Sequence, residues 1–197
     1  MKKLLSLILL LSFTIKAQEI KIGTQTWTSK NLDVTKYRNG DAIPQVQDKN
    51  AWAKLKTGAW CYYENNTANG TTYGKLYNWF AVNDTRGLAP KGYHIPTDAE
   101  WTILTDNLGE EAGTKMKSTS GWDNNGNGTN TSGFAGLPGG YRSDDGKFYY
   151  VGANGLWWSS SENDTGSAWY RYLYDGDGLV SRSPSKRNGF SVRCLRD

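Results

Sequence analysis

The sequence predicts an α+β domain with one or two short helices and antiparallel hairpins, on three observations. One well-capped helix falls near the middle of the chain, at residues 98–108. Segments of strand length, alternating apolar and polar residues, fall mainly after residue 121. The 197 residues include 9 Trp, 12 Tyr and 23 Gly. Large rings fill a core while their N–H and O–H groups find partners, and glycines allow the tight turns between short strands. A chain of this length suits a single domain with a sizeable core. Neither a fixed-period repeat nor a linker-like stretch divides it.

The chain starts with a short basic end, Met1, Lys2 and Lys3, followed by an apolar run over residues 4–13 that only Ser6 and Ser12 interrupt. Ala17 then precedes the polar pair Gln18 and Glu19. This pattern predicts a secretory signal peptide over residues 1–17, cleaved after Ala17, with an uncleaved membrane anchor as the alternative. The run is shorter than the roughly 20 apolar residues a spanning helix needs. The mature domain is then 18–197, secreted or held at the surface of a bacterium. Cleavage removes Lys2, Lys3 and Lys16 and no acid, so the net charge falls from +4 to +1. A surface so near neutrality gives no electrostatic reason to expect nucleic acid as a partner.

Residues 20–34 alternate (Ile20, Ile22, Trp27, Leu32, Val34) and predict one or two short strands. Residues 59–63 predict a strand carrying Cys61, and residues 65–72, rich in Asn and Gly, predict a loop. Residues 75–82 are apolar on one face and predict a short helix. Thr97 with Glu100 forms a capping box, Trp101, Leu104 and Leu108 keep helical spacing, and Gly109 ends the helix. A second short helix is expected at 112–117. Strands are expected at 134–141, 148–151 and 168–174, and a closing strand at 189–195. In the 168–174 strand, Trp169, Arg171 and Leu173 point one way and Tyr170, Tyr172 and Tyr174 the other.

Two cysteines remain, Cys61 and Cys194. An even pair in an exported chain predicts one disulfide. Two free buried thiols or a catalytic thiol with a nearby base are the alternatives.

Several segments together resemble the Fibrobacter succinogenes major paralogous domain. They are QTWTSKNLDV (25–34), TYGKLYNW (72–79), GYHIPTDAEWTIL (92–104), SGFAGLPGGYR (132–142), GLWWSSSE (155–162) and NGFSVRCLRD (188–197). The resemblance covers nearly all of the mature chain, in order. The Pro96–Trp101 and Gly189–Cys194 stretches are more remotely similar to the sulfatase-modifying factor superfamily. That similarity implies a C-type-lectin-like fold in which the two ends of the domain meet in one sheet, an arrangement that agrees with a Cys61–Cys194 link or close contact.

The enzymes of that superfamily use two close cysteines or an iron held by histidines. Here the cysteines are far apart in sequence and His94 is the only histidine, so a histidine-rich iron site does not form. His94 is read as a structural residue at the helix entrance. No nucleophile-elbow pattern surrounds any serine. Asp123, Asn125 and Asn127, with Gly128, match the first half of a calcium loop that offers alternate oxygens to a hard cation. Position 134, where the bidentate acid belongs, is Phe134, so further carboxylates would have to come from Asp144, Asp145 or Glu162. The same run also reads as an Asn/Gly turn satisfied by its own backbone. Calcium is therefore the one cofactor considered; otherwise none is expected.

Sugar faces stack on aromatic rings while amides, acids and guanidinium groups read the hydroxyls. The candidates for such contacts are Trp157, Trp158, Glu162, Trp169, Tyr170, Arg171, Tyr172 and Asp175. Trp27, Trp79 and Trp101 are assigned to packing, and Arg193 to a buried ion pair. The expected function is a non-catalytic binding module for a glycan or a cell-surface protein. The alternatives are an oxidoreductase of the sulfatase-modifying-factor kind and a structural or adhesive surface protein.

Overall fold

The computed structural model describes residues 18–174, 179–182 and 184–197; the expected leader 1–17 and the candidate ligand residue Asp175 lie outside them. The chain opens with a hairpin of β1 (Glu19–Ile22) and β2 (Gln25–Thr28). One turn of helix, α1 (Lys49–Trp52), precedes β3 (Trp60–Cys61), a 3-10 turn (Tyr63–Asn65) and α2 (Thr67–Tyr73). Next come β4 (Leu76–Tyr77), α3 (Trp79–Val82), β5 (Tyr93–His94), α4 (Asp98–Leu108) and α5 (Ala112–Met116). The second half holds β6 (Gly139–Arg142), β7 (Phe148–Val151), β8 (Gly155–Glu162), β9 (Ala168–Leu173), β10 (Leu179–Arg182) and β11 (Leu195–Arg196).

The result is an α+β fold of short helices and antiparallel hairpins. One sheet has the order β1-β2-β11-β5, so the first and last strands of the described chain share it. A second has the order β10-β9-β8, and β3-β4 and β6-β7 are separate pairs. The C-terminal segment ties these pieces together. Gly189 exchanges backbone hydrogen bonds with Arg142 (2.7 and 3.0 Å), and Phe190 does so with Tyr77 (3.0 and 2.9 Å). Ser191 N–H donates to Leu156, and the carbonyls of Val192 and Cys194 accept from Leu32 and Thr28. Residues 190–194 are accordingly buried on both faces, and the alternation of Phe190, Val192 and Cys194 does not mark an exposed side.

The helix at 98–108 forms where its capping box predicts. Thr97 Oγ1 accepts from Glu100 N–H (3.2 Å), the Glu100 carboxylate accepts from Thr97 N–H (2.8 Å), and Trp101 and Leu104 are buried. His94 sits at this entrance, with Nε2 3.0 Å from Glu100 Oε1 and Nδ1 2.9 Å from Asp197 Oδ1. Burial works against its charged form, but the two carboxylates outweigh burial and raise its pKa. The histidine thus clamps the helix start to the chain end.

Several expectations change, and the strands expected at 59–63 and 189–195 shorten to Trp60–Cys61 and Leu195–Arg196. Residues 65–72 are not a loop: Asn66 Oδ1 accepts from Ala68 N–H (2.9 Å) and caps α2. Position 70, inside that helix, takes a glycine because a Cβ there would stand 2.2 Å from the Tyr62 ring. Residues 75–82 divide into β4 and α3 at Asn78, whose side-chain oxygen accepts from both Ala59 and Ala81 N–H. Between residues 134 and 141, strand β6 begins only at Gly139; Ala135 takes a φ of 50°, and Gly136 makes an isolated bridge to Lys117 instead.

Cys61 and Cys194 are both free and buried, which corrects the expected disulfide. Cys61 packs with Trp52, Ala59, Tyr63 and Leu76, whereas Cys194 belongs to the cluster around Tyr77, Trp158 and Phe190. Burial pushes both thiols up to about 12, so neither is a thiolate near neutral pH. Ellman's reagent is expected to find no reactive thiol in the native protein and two after denaturation, with a reductant leaving the unfolding midpoint unchanged. A denatured chain without thiols before reduction would restore the disulfide.

Arg193 is also not an ion-pair partner. Its guanidinium donates from Nε to Asn31 Oδ1 (2.7 Å) and from Nη1 to the Thr28 carbonyl (2.9 Å), and lies 4.5 Å from the Phe134 ring centroid. Among the described residues no carboxylate pairs with it.

Candidate binding face

Strand β9 divides its side chains as the alternation predicts. On one side Arg171 is buried, and its Nη1 pairs with the Asp98 carboxylate while Nη2 donates to the Asp98 carbonyl (2.9 Å) and Thr102 Oγ1 (3.1 Å). Leu173 enters the core beside Trp157 and Phe134, and Trp169 is half-buried. On the other side Tyr170, Tyr172 and Tyr174 form a ladder with ring centroids 6.5 and 5.4 Å apart.

A second set of rings comes from the β6–β7 hairpin. Tyr141, Tyr149 and Tyr150 lie within 5.7 to 6.1 Å of one another. Tyr141, Tyr150, Tyr170 and Tyr172 line one groove of about 340 Å³, with Asn154 and Asn188 supplying amides. The Tyr172 hydroxyl donates to Asn154 Oδ1 (3.1 Å). Burial, then the neighbouring tyrosines, raises the Tyr141 pKa, so its phenol keeps its proton.

Tyr150 is the unusual member. Its φ is 62°, in the left-handed region that an aromatic residue seldom adopts, and it is 58% exposed. The ladder pairs Gly139 with Val151 and Tyr141 with Tyr149; the intervening Gly140 also has a positive φ, 61°. The backbone kinks at both residues of this step. The carbonyl of Tyr150 accepts from Ala153 and Asn154 N–H, which holds the kink. Left-handed backbone costs a non-glycine residue on the order of 1–2 kcal/mol, and here it carries a large ring out into solvent.

The sequence-based candidates divide accordingly. Tyr170 and Tyr172 line the groove. Trp157 and Trp158 are fully buried, and Arg171 is engaged with α4, which removes all three from an open contact surface. The two indoles point to opposite faces of β8, but both faces are covered. Glu162 is exposed at the end of β8, where it pairs with Lys186. The polar and exposed groove residues that the sequence candidates did not include are Tyr141, Tyr150, Asn154 and Asn188.

The polar turn is shaped from within. Asn127 Oδ1 accepts from Trp122 N–H (3.0 Å), Gly126 N–H donates to the Asp123 carbonyl (2.8 Å), and Asn124 and Asn125 take φ values of 53° and 59°. The expected extra carboxylates have partners elsewhere: Asp144 accepts from Ser143 Oγ (3.3 Å), Asp145 from Lys147 N–H (3.0 Å), and Glu162 holds Lys186. Among the described residues no three His, Cys, Asp or Glu side chains cluster as a metal site.

The model of the Fibrobacter succinogenes major domain matches residues 20–196. The chain belongs to that family. No curated protein and no solved structure matches it. The match spans β1 to β11, so the tyrosine groove, the buried cations and the C-terminal segment that joins the sheets all lie within one Fibrobacter succinogenes major domain.

Proposed function

We propose that this domain is an exported, non-catalytic binding module whose tyrosine groove holds a glycan. One observation carries the reading: Tyr150 is held out into solvent at an energetic cost, beside rings and amides that face the same groove. Phenol rings offer flat apolar faces for sugar C–H groups, and Asn154, Asn188 and the phenol hydroxyls offer hydrogen bonds to sugar hydroxyls. Strain of this kind persists only where the surrounding structure over-determines the backbone, and it clusters at ligand sites.

Further features support parts of this reading. The apolar leader at 4–13 supports export, and no helix among the described residues is long and apolar enough to cross a membrane. The meeting of β2 with β11 supports the C-type-lectin-like assignment. Two thiols raised to about 12 by burial argue against the thiol-based form of the oxidoreductase alternative, which needs an available thiolate.

The test is a glycan array followed by calorimetry on the best glycan. Tyr150→Gly relieves the positive φ while deleting the exposed ring. Its affinity is expected to fall at least about tenfold, the loss of roughly 1.4 kcal/mol of contact, with no fall in the unfolding midpoint. A blank array, or a Tyr150→Gly protein that binds as tightly as the parent, overturns the proposal.

A further inference from the structure

A second cleft, of about 600 Å³, lies where residues 29–31 meet the end of α2 and Gly74. It shares no lining residue with the tyrosine groove. Arg193 lies in its wall, almost wholly buried. A guanidinium has five N–H donors. Nε and Nη1 each use one on Asn31 and Thr28, and Nη2 makes only a long 3.5 Å contact with the Ala135 carbonyl. Two N–H groups are left with no acceptor among the described residues.

Beside it, Ser29 Oγ is buried with no hydrogen-bond partner among the described residues. Buried polar atoms are nearly always satisfied, and an orphan needs an explanation. Lys30 stands exposed on the same cleft. The one acid in the lining, Asp33, is held by the buried Lys75 ammonium. Arg142 is a useful contrast. It too is buried, but its Nε, Nη1 and Nη2 reach the carbonyls of Gly146, Val46 and Gln47 at 3.1, 2.7 and 2.8 Å, so each of its three nitrogens has a well-formed contact, and it does not line this cleft. Burial without a carboxylate lowers the Arg193 pKa to about 9, which still leaves it charged at neutral pH.

We propose that this cleft binds the carboxylate of an acidic sugar. The unused guanidinium donors and the Ser29 hydroxyl match a planar anion, and Lys30 adds charge at the opening. Thr71, Thr72 and Tyr73 line the remaining wall with hydroxyls and one ring, the groups that a polyhydroxylated ring needs. An amino acid fits less well, because the only lining carboxylate that could receive its ammonium is already paired. The inference does not rest on the tyrosine groove.

The test is a titration of the purified, isotope-labelled protein with sodium glucuronate, and in parallel with N-acetylglycine and inorganic phosphate. Glucuronate is expected to give saturable amide shifts at Ser29, Asn31, Thr72 and Ala135. Ser29→Ala is expected to weaken it about fivefold, the worth of one hydrogen bond, with the unfolding midpoint unchanged. Lys30→Gln is expected to weaken it and flatten its salt dependence, and Tyr150→Gly to leave it untouched. Arg193→Lys keeps the charge but loses the fork, and is expected to abolish the shifts; if that variant does not fold, Ser29→Ala and Lys30→Gln decide. Absence of saturable shifts, a Ser29→Ala affinity equal to the parent's, or a response to phosphate alone overturns the proposal. An equal affinity for N-acetylglycine overturns its sugar part.

Discussion

Replacing Trp158 with alanine is expected to remove about 3–5 kcal/mol of folding stability, a large share of the 5–15 kcal/mol typical of a domain. The indole is fully buried, and its ring centroid lies 4.3 Å from Phe190 and 6.4 Å from Tyr170. Its Nε1–H donates to the Tyr77 carbonyl (2.8 Å), and its backbone N–H donates to Ser191 (3.1 Å). The side chain therefore anchors β8 to β4 and to the C-terminal segment at once. Trp158→Phe keeps most of the ring contact and is expected to lose a smaller part. Urea unfolding measures both. A Trp158→Ala protein with the parent's midpoint but no glycan affinity would return this residue to the contact surface.

The tryptophan pair also shows where the sequence stops being informative. In an isolated strand, neighbours face opposite sides and one of Trp157 and Trp158 would meet solvent. Strand β8 is covered on both faces: Trp157 packs against Phe134 (5.6 Å) and donates to Asn31 Oδ1 (2.9 Å), while Trp158 enters a different cluster. What covers each face is set by residues from other elements, Asn31 and Phe134 for Trp157 and Tyr77 and Phe190 for Trp158, and no local pattern records that. The capping box at Thr97 was legible because both partners lie within one turn. The ladder of Tyr170, Tyr172 and Tyr174 was legible because the strand period is local.

Tyr141 and Tyr150 were not legible as partners of that ladder, since the β6–β7 hairpin reaches them through long-range packing. Nor does a Tyr-Tyr-Val stretch announce a left-handed residue; only Gly140 on the facing strand hints at the kink. The disulfide expectation rested on compartment and parity, which say nothing of separation in space. Arg193 was placed correctly in the interior, but a buried arginine ordinarily implies an acid. Here carbonyls, an amide and a ring take the acid's place, an arrangement that the sequence around residue 193 does not encode.

The same arrangement makes Arg142 the second site of large expected loss. Its guanidinium lies 4.5 Å from the Trp52 ring centroid and 4.8 Å from that of Phe148, and it joins the β6–β7 turn to the carbonyls of Val46 and Gln47. Arg142→Met fills much of the space but withdraws all three donors, and unpaired buried carbonyls cost about 1–3 kcal/mol each when fully desolvated. Because these are partly solvated, a total of about 3 kcal/mol is expected. Arg142→Lys retains a cation, yet a single ammonium cannot span three carbonyls as a planar fork does, so its urea midpoint is expected to fall nearly as far. The damage is expected to spread along the segment the fork holds. Val46 N–H donates to Trp60 and Trp60 N–H to Pro44, so both amides are expected to lose hydrogen-exchange protection ahead of the α4 amides. An Arg142→Lys protein with the parent's midpoint and protection would mean that charge over the Trp52 ring, rather than the fork, holds this segment in place.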